Sequence, residues 1–119
     1  MVSRFAIIAL TSLALCGCKS VRSVCAPADK PLALTPEEDG KLRDEGMKLY
    51  AEQPRTLIRV TLAAQLLEQA ACGLRDDFDA QWQAAQALAF LAENDARPEF
   101  KLEAAKRAVA LARRARELQ

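Results

Sequence analysis

Apolar residues recur every three to four positions through most of the chain beyond residue 35, the spacing that places them on one face of an α-helix. The pattern is clearest between positions 57 and 71. It predicts four helices: Pro36 to about Glu52, Thr56 to Cys72, about Phe78 to Glu93, and Pro98 to the last residue. Alanine is abundant and β-branched residues are few, which favours helices over strands. We expect an all-α domain whose four helices form two antiparallel hairpins.

The helix ends carry capping signals. Thr35 can cap the first helix, with Pro36 in the first turn, where its missing N–H does no harm. Gly73 should end the second helix in a left-handed conformation. Candidate caps and starts of the last two helices are Asp76, Asp77 and Asp79 for the third, and Asp95, Arg97 and Pro98 for the fourth.

The third helix is apolar nearly all round, so we expect it to be the buried one. The first helix is weakened by Gly40 and Gly46, each by up to about 1 kcal/mol relative to alanine. The residues expected in the core are Leu67, Trp82, Leu88 and Leu111.

The amino terminus has the layout of an export signal, which is excluded from the fold. Arg4 precedes an apolar core from Phe5 to Leu15, shorter than the roughly 20 residues that a bilayer-spanning helix needs. Leu15-Cys16-Gly17-Cys18 resembles the lipobox of bacterial lipoproteins, which implies cleavage before Cys18 and a diacylglyceryl thioether on its sulfur. The alternatives are an ordinary secretory signal, or Cys16 as a minor site.

These features divide the chain into a lipoprotein signal peptide (1–17), a lipidated tether (18–34) and a helical domain (35–119). The tether contains two prolines and lacks steady periodicity. We expect the protein in the bacterial cell envelope, lipid-anchored and facing the periplasm. Lys19, rather than Asp, follows Cys18, which favours the outer over the inner membrane.

Cys25 and Cys72 are the cysteines left once the signal peptide and the lipid site are set aside. In an oxidising compartment they can form a disulfide between the tether and the second helix. The alternative is a buried Cys72 with Cys25 free on the tether.

The alanine positions also invite comparison with helical repeats. With Trp82 in the aromatic position of a tetratricopeptide repeat, Ala85, Ala89 and Ala92 follow at suitable intervals, although Glu68 lies where a large apolar residue belongs. A plain four-helix bundle is the alternative.

The lipobox, the Lys48-Leu49-Tyr50-Ala51 helix end, the stretch 80–89 and the late Ala/Arg-rich helix together resemble the small helical-repeat lipoproteins associated with TRAP transporters. The resemblance implies a periplasm-facing scaffold and no catalytic residue. Because the last helix has no capping helix after Gln119, we expect an exposed apolar side, a partner or second copy covering it, or a truncated relative of a longer protein.

The residue types argue against an enzyme. The chain has no histidine, so the usual general base and the commonest metal ligand are missing. The acidic turn at 76–79 lacks the ligand ladder of a calcium loop and is interpreted as helix capping. We expect no catalytic, cofactor or metal site.

Charge is uneven along the domain. Residues 36–52 hold six acidic against three basic side chains, and residues 98–119 hold six basic against three acidic. The interpretations are solvated helix faces or a basic face that meets an acidic protein, anionic lipid or another copy's first helix. The candidate basic interaction face comprises Lys106, Arg107, Arg113, Arg114 and Arg116.

The leading hypothesis is a membrane-anchored helical scaffold for protein interactions, with the lipid anchor as its membrane contact and either another protein or itself as partner. The alternatives are an accessory component of a TRAP-type solute uptake system, which would involve a small-molecule ligand, and a structural envelope bundle that dimerises through its last helix. Nucleic acid is not expected in this compartment.

Overall fold

A computed structural model describes residues 34–119. It contains α1 (Pro36–Ala51), α2 (Leu57–Gly73), α3 (Phe78–Asn94) and α4 (Pro98–Glu117), and no strand within that range. The predicted all-α class and number of helices are confirmed. The predicted signal peptide, the lipidation site Cys18 and Cys25 lie outside the described residues.

Side chains close the amino-terminal ends of three helices. At α1, the Thr35 hydroxyl accepts a hydrogen bond from the Glu38 backbone N–H at 3.2 Å while the Glu38 carboxylate accepts from the Thr35 N–H, forming a capping box. Thr56 caps α2 and Asp77 caps α3. Asp77 is one of the predicted acidic residues, so one member of the cluster caps α3 as expected.

At α4, the two candidate caps act together. Arg97 occupies the cap position but makes no side-chain capping bond. Instead, Asp95 accepts hydrogen bonds from the Arg97 backbone N–H at 2.9 Å and from its guanidinium at 3.0 and 2.8 Å. This pair fixes the turn that precedes Pro98.

The predicted left-handed stop at Gly73 is wrong. Gly73 is the last residue of α2, and no residue between 34 and 119 has a positive φ. A Cβ at this position would collide with the carboxylate of Asp39, which is buried. The close approach of the Asp39 side chain of α1 therefore favours glycine here, and no backbone reversal is involved.

Each helix packs on the next helix in the chain, and α3 also touches α1. Short turns join consecutive helices, which gives the expected hairpins. The starts of α1 and α3 are 42 residues apart (36 to 78), and those of α2 and α4 are 41 apart (57 to 98). A tetratricopeptide repeat spans 34 residues, so that likeness stays a prediction.

The core is narrow because alanine dominates it. Leu67, Leu88 and Leu111 are buried as predicted, whereas Trp82 is 40% exposed and the prediction for it is wrong. The buried alanines are Ala63, Ala64, Ala70, Ala71, Ala80, Ala84, Ala85, Ala87, Ala104, Ala108 and Ala115. Helices separated by such small side chains leave no space for an indole ring, so Trp82 lies at the edge of the packed layer.

Gly46 contributes to the same close packing. A Cβ added there would lie 2.7 Å from Cγ of Leu67, so the residue predicted to weaken α1 lets it sit against α2. At Gly40 the nearest atom, an Arg43 nitrogen, would be 4.0 Å away, so that position is open. Of the helices within 34–119, none is long and apolar enough to cross a membrane.

Candidate interaction surface

The five residues of the predicted basic face point in two directions. Arg107 and Arg114 turn toward α2 and the turn that follows it, where both are bonded. Lys106, Arg113 and Arg116 are exposed and form no ion pair with residues 34–119. The structure therefore reduces the available part of this face to three of its five cations.

Arg107 forms a two-point ion pair with Glu68. Its Nε donates to Glu68 Oε2 at 2.9 Å, and its Nη2 donates to Glu68 Oε1. Glu68 is only 7% exposed. A buried carboxylate needs such a charged, two-pronged donor to offset its lost hydration. This contact explains why glutamate is found where an apolar residue was expected.

Arg114 binds the turn between α2 and α3. Its Nε donates to the backbone oxygen of Arg75 at 3.2 Å, and its Nη2 lies 3.3 Å from Asp76 Oδ1. A third contact joins Nη1 to Glu117 at 3.7 Å. Arg107 and Arg114 thus attach α4 to α2 and its turn, a role that the charge pattern alone did not reveal.

On the side opposite Arg107 and Arg114, α4 exposes a row of apolar residues. We call this row the α4 seam, and its members are Leu102, Ala105, Val109 and Ala112. Their spacing of three, four and three residues places them on one line along the helix. Leu102 is 59% exposed and Val109 is 50% exposed, while the two alanines are half-buried.

An aromatic pair on α3 lies next to this seam. The rings of Phe78 and Trp82 stack with their centroids 6.4 Å apart and an interplanar angle of 13°. Together with Ala112, Ala115, Arg116 and Gln119 they line an open hollow of about 530 Å³. Because Ala112 belongs to both features, the hollow and the seam form one continuous surface across two helices.

A smaller cleft of about 230 Å³ lies between α2 and α4, over Leu88 and Leu91 of α3. Four of its five charged residues form ion pairs, Glu68 with Arg107 and Asp95 with Arg97, while Glu103 is in no ion pair with residues 34–119. The Arg97 guanidinium also stacks 3.7 Å above the Phe100 ring. Hydrogen bonds from Arg97 lower the pKa of Asp95 to about 2. These internal pairs occupy both cations of the cleft, so neither is left to attract an anionic ligand.

In the acidic turn at 76–79, Asp76 and Asp77 have structural contacts. Asp77 combines its capping role with an ion pair to Arg43 at 2.5 Å, and hydrogen bonding to Asp44 and Asp77 raises the pKa of Arg43. Within residues 34–119, no group of three or more Cys, Asp or Glu side chains is placed to hold a metal ion.

Cys72, half-buried near the end of α2, is disulfide-bonded in the structure. Cys16, Cys18 and Cys25 all lie outside the described residues, so the pairing with Cys25 stays a prediction.

Comparisons with known proteins add no family to this description. No protein-family model, curated protein or solved structure matches the chain.

Proposed function

We propose that this protein is a membrane-anchored envelope lipoprotein whose helical domain is a scaffold for protein interactions. The lipid on Cys18 holds it at the periplasmic face, at the outer rather than the inner membrane. The domain supplies binding surface and no chemistry.

The observation that carries the proposal is the exposed surface formed by the α4 seam and the Phe78–Trp82 pair. Leu102, Val109 and Trp82 each expose 40% or more of their surface. Contiguous exposed apolar side chains bordered by charges are typical of protein interaction sites. Tryptophan and arginine, both present here, are the residues that most often dominate binding energy.

The anchor rests on the arrangement of Leu15, Gly17 and Cys18 behind a short apolar core. Two or more acyl chains bind a membrane stably, whereas one chain is marginal at about 0.8 kcal/mol per buried methylene. The domain would then act close to the membrane, within the reach of its tether.

Metabolic labelling with palmitate tests the anchor. The natural chain and Cys16→Ser should incorporate label, and Cys18→Ser should not. Label retained in Cys18→Ser would refute the assigned lipid site.

Crosslinking in cells that naturally make the protein tests the scaffold. The full chain, purified through a tag on a flexible linker after Gln119, should retrieve the same proteins in replicate experiments. An unrelated tagged lipoprotein is the control for non-specific capture. Recovery of the same background from both chains would contradict the scaffold function.

A further inference from the structure

We infer that the α4 seam and the adjoining aromatic hollow bind one acidic, amphipathic α-helix from a different protein. This inference rests on the proposed scaffold function and names the partner's chemistry.

The first support is the shape of the seam. Leu102 and Val109 alternate with Ala105 and Ala112 along one line of α4. Alternation of larger and smaller apolar residues at spacings of three and four lets a second helix approach closely and interlock its side chains. A helix is therefore the secondary structure that this surface fits.

The second support is the position of the hollow relative to the packing of the domain. Each helix packs on the helix before it in the chain. In addition, α3, which packs on α2, contacts α1. A helix that followed the same rule on the open side of α4 would contact α3. The half-buried Phe78 and the exposed Trp82 are the α3 residues that line the hollow there, beside Ala112 and Arg116. The bound helix would thus lie in a groove with two walls, as in other helix-in-groove complexes.

The third support is charge, which selects the partner. Lys101 borders the seam on the side nearer α3, Lys106 and Arg113 border it on the other side, and Arg116 continues its line. None of the four makes an ion pair with residues 34–119. At 100° per residue, the acidic residues of α4 lie about 100° or more from the centre of the seam. The residues of α4 that border the seam most closely are therefore all cationic.

The cationic border on α4 disfavours self-association through the seam, because two copies paired seam to seam would bring like charges together. It favours a partner helix with Asp or Glu beside its apolar stripe. Anionic lipid shares the charge preference, but a concave groove containing two alanines offers little apolar surface to insert into a bilayer, unlike the Trp-, Phe- or Leu-rich faces of interfacial helices.

Site-specific photocrosslinking tests the inference. A photoreactive phenylalanine is placed at Val109 in the full, lipidated chain within cells that naturally make the protein. The matched control carries it at Ile58 of α2, which is 85% exposed and lies outside the seam and the hollow. The crosslinked peptide is then identified by mass spectrometry. We expect an adduct at Val109 only, on a helical segment of another protein with acidic residues flanking its apolar stripe.

Charge reversal supplies the second readout. Lys106→Glu combined with Arg113→Glu should lower the yield of this adduct about tenfold, because attraction is replaced by repulsion at two border positions. Lys48→Glu, at an exposed lysine of α1, should leave the yield unchanged. Circular dichroism of each variant verifies that the helices are intact.

The outcomes separate the two proposals. An adduct at Val109 with a second copy of the chain, with lipid, or with a non-acidic segment overturns the acidic-helix inference. So does an equal yield after the double charge reversal. A specific protein adduct from Ile58 alone overturns the inference while leaving the scaffold function standing. No protein adduct from either site, with no partner in whole-cell crosslinking, overturns both.

Discussion

Arg107 on α4 donates hydrogen bonds from Nε and Nη2 to the two carboxylate oxygens of Glu68 on α2, and Glu68 is almost completely buried. The contact joins two helices that are not neighbours in the chain. It also withdraws one arginine from the basic face that the sequence predicts.

Removal of the arginine should destabilise the domain. Arg107→Met leaves Glu68 buried without this donor, and since Arg107 is itself about one-third exposed we expect a loss of about 2 kcal/mol rather than the larger cost of a fully buried pair. Urea unfolding followed by circular dichroism measures this loss.

Adding Glu68→Leu to Arg107→Met should recover most of the lost stability, because an apolar pair needs no charge compensation. For Arg113→Met, at an exposed position, the free energy of unfolding should lie within about 0.5 kcal/mol of that of the natural chain. Equal midpoints for Arg107→Met and Arg113→Met would contradict a stabilising role for the pair.

Two glycines of α1 should respond to alanine in opposite directions. Gly40→Ala should stabilise the domain by about 0.5–1 kcal/mol, because alanine favours helix and the added methyl has space. Gly46→Ala should destabilise it by about 1–3 kcal/mol, because the methyl collides with Leu67. Thermal unfolding of both variants measures the difference. A stabilising Gly46→Ala would show that α1 does not pack against Leu67 as described.

Trp82 is the only tryptophan, so its fluorescence reports this one site. We expect red-shifted emission and ready quenching by acrylamide in the folded protein, because the ring is 40% exposed. Trp82→Ala should cost less stability than Leu88→Ala, for which we expect about 2–5 kcal/mol. Blue-shifted, unquenched emission would instead place the ring in the core.

Asp95 gives a pH dependence with a defined sign. Hydrogen bonds from Arg97 lower its pKa in the folded state from 3.8 to about 2. The contribution of the Asp95–Arg97 pair to the stability of the folded state is therefore complete above about pH 4. It declines as the pH falls toward 2 and the carboxylate is protonated. Carboxyl-carbon NMR titration should show a midpoint near 2, and Arg97→Gln should return it toward 3.8. An unchanged midpoint in Arg97→Gln would exclude the arginine as the cause.

The predicted partner of Cys72 can be identified by alkylation under denaturing conditions without reductant. Cys72 should resist alkylation in the natural chain because it is disulfide-bonded. If Cys25 is its partner, Cys25→Ser should expose a reactive Cys72 thiol, whereas Cys16→Ser should not. Continued protection of Cys72 in Cys25→Ser would assign the bond to another cysteine. Peptide mass spectrometry locates the label.

Local pattern determined the helices of this protein. Thr35 with Glu38, and Asp77 with Ala80, act within one helical turn, so their capping roles could be predicted from neighbouring residues alone. The periodicity of the apolar residues located all four helices for the same reason. The cationic character of α4 was likewise evident from its composition.

Tertiary structure alone decided which side of each helix is covered. Arg107 meets Glu68 across 39 positions, and Gly46 meets Leu67 across the interface of α1 and α2. Such contacts depend on how far each helix is rotated and shifted against its neighbour. That register also left Trp82 at the surface, because alanines brought the helices too close together for an indole ring to fit between them. The binding surface proposed here therefore follows from helix packing, although every residue in it belongs to a helix that the sequence predicts.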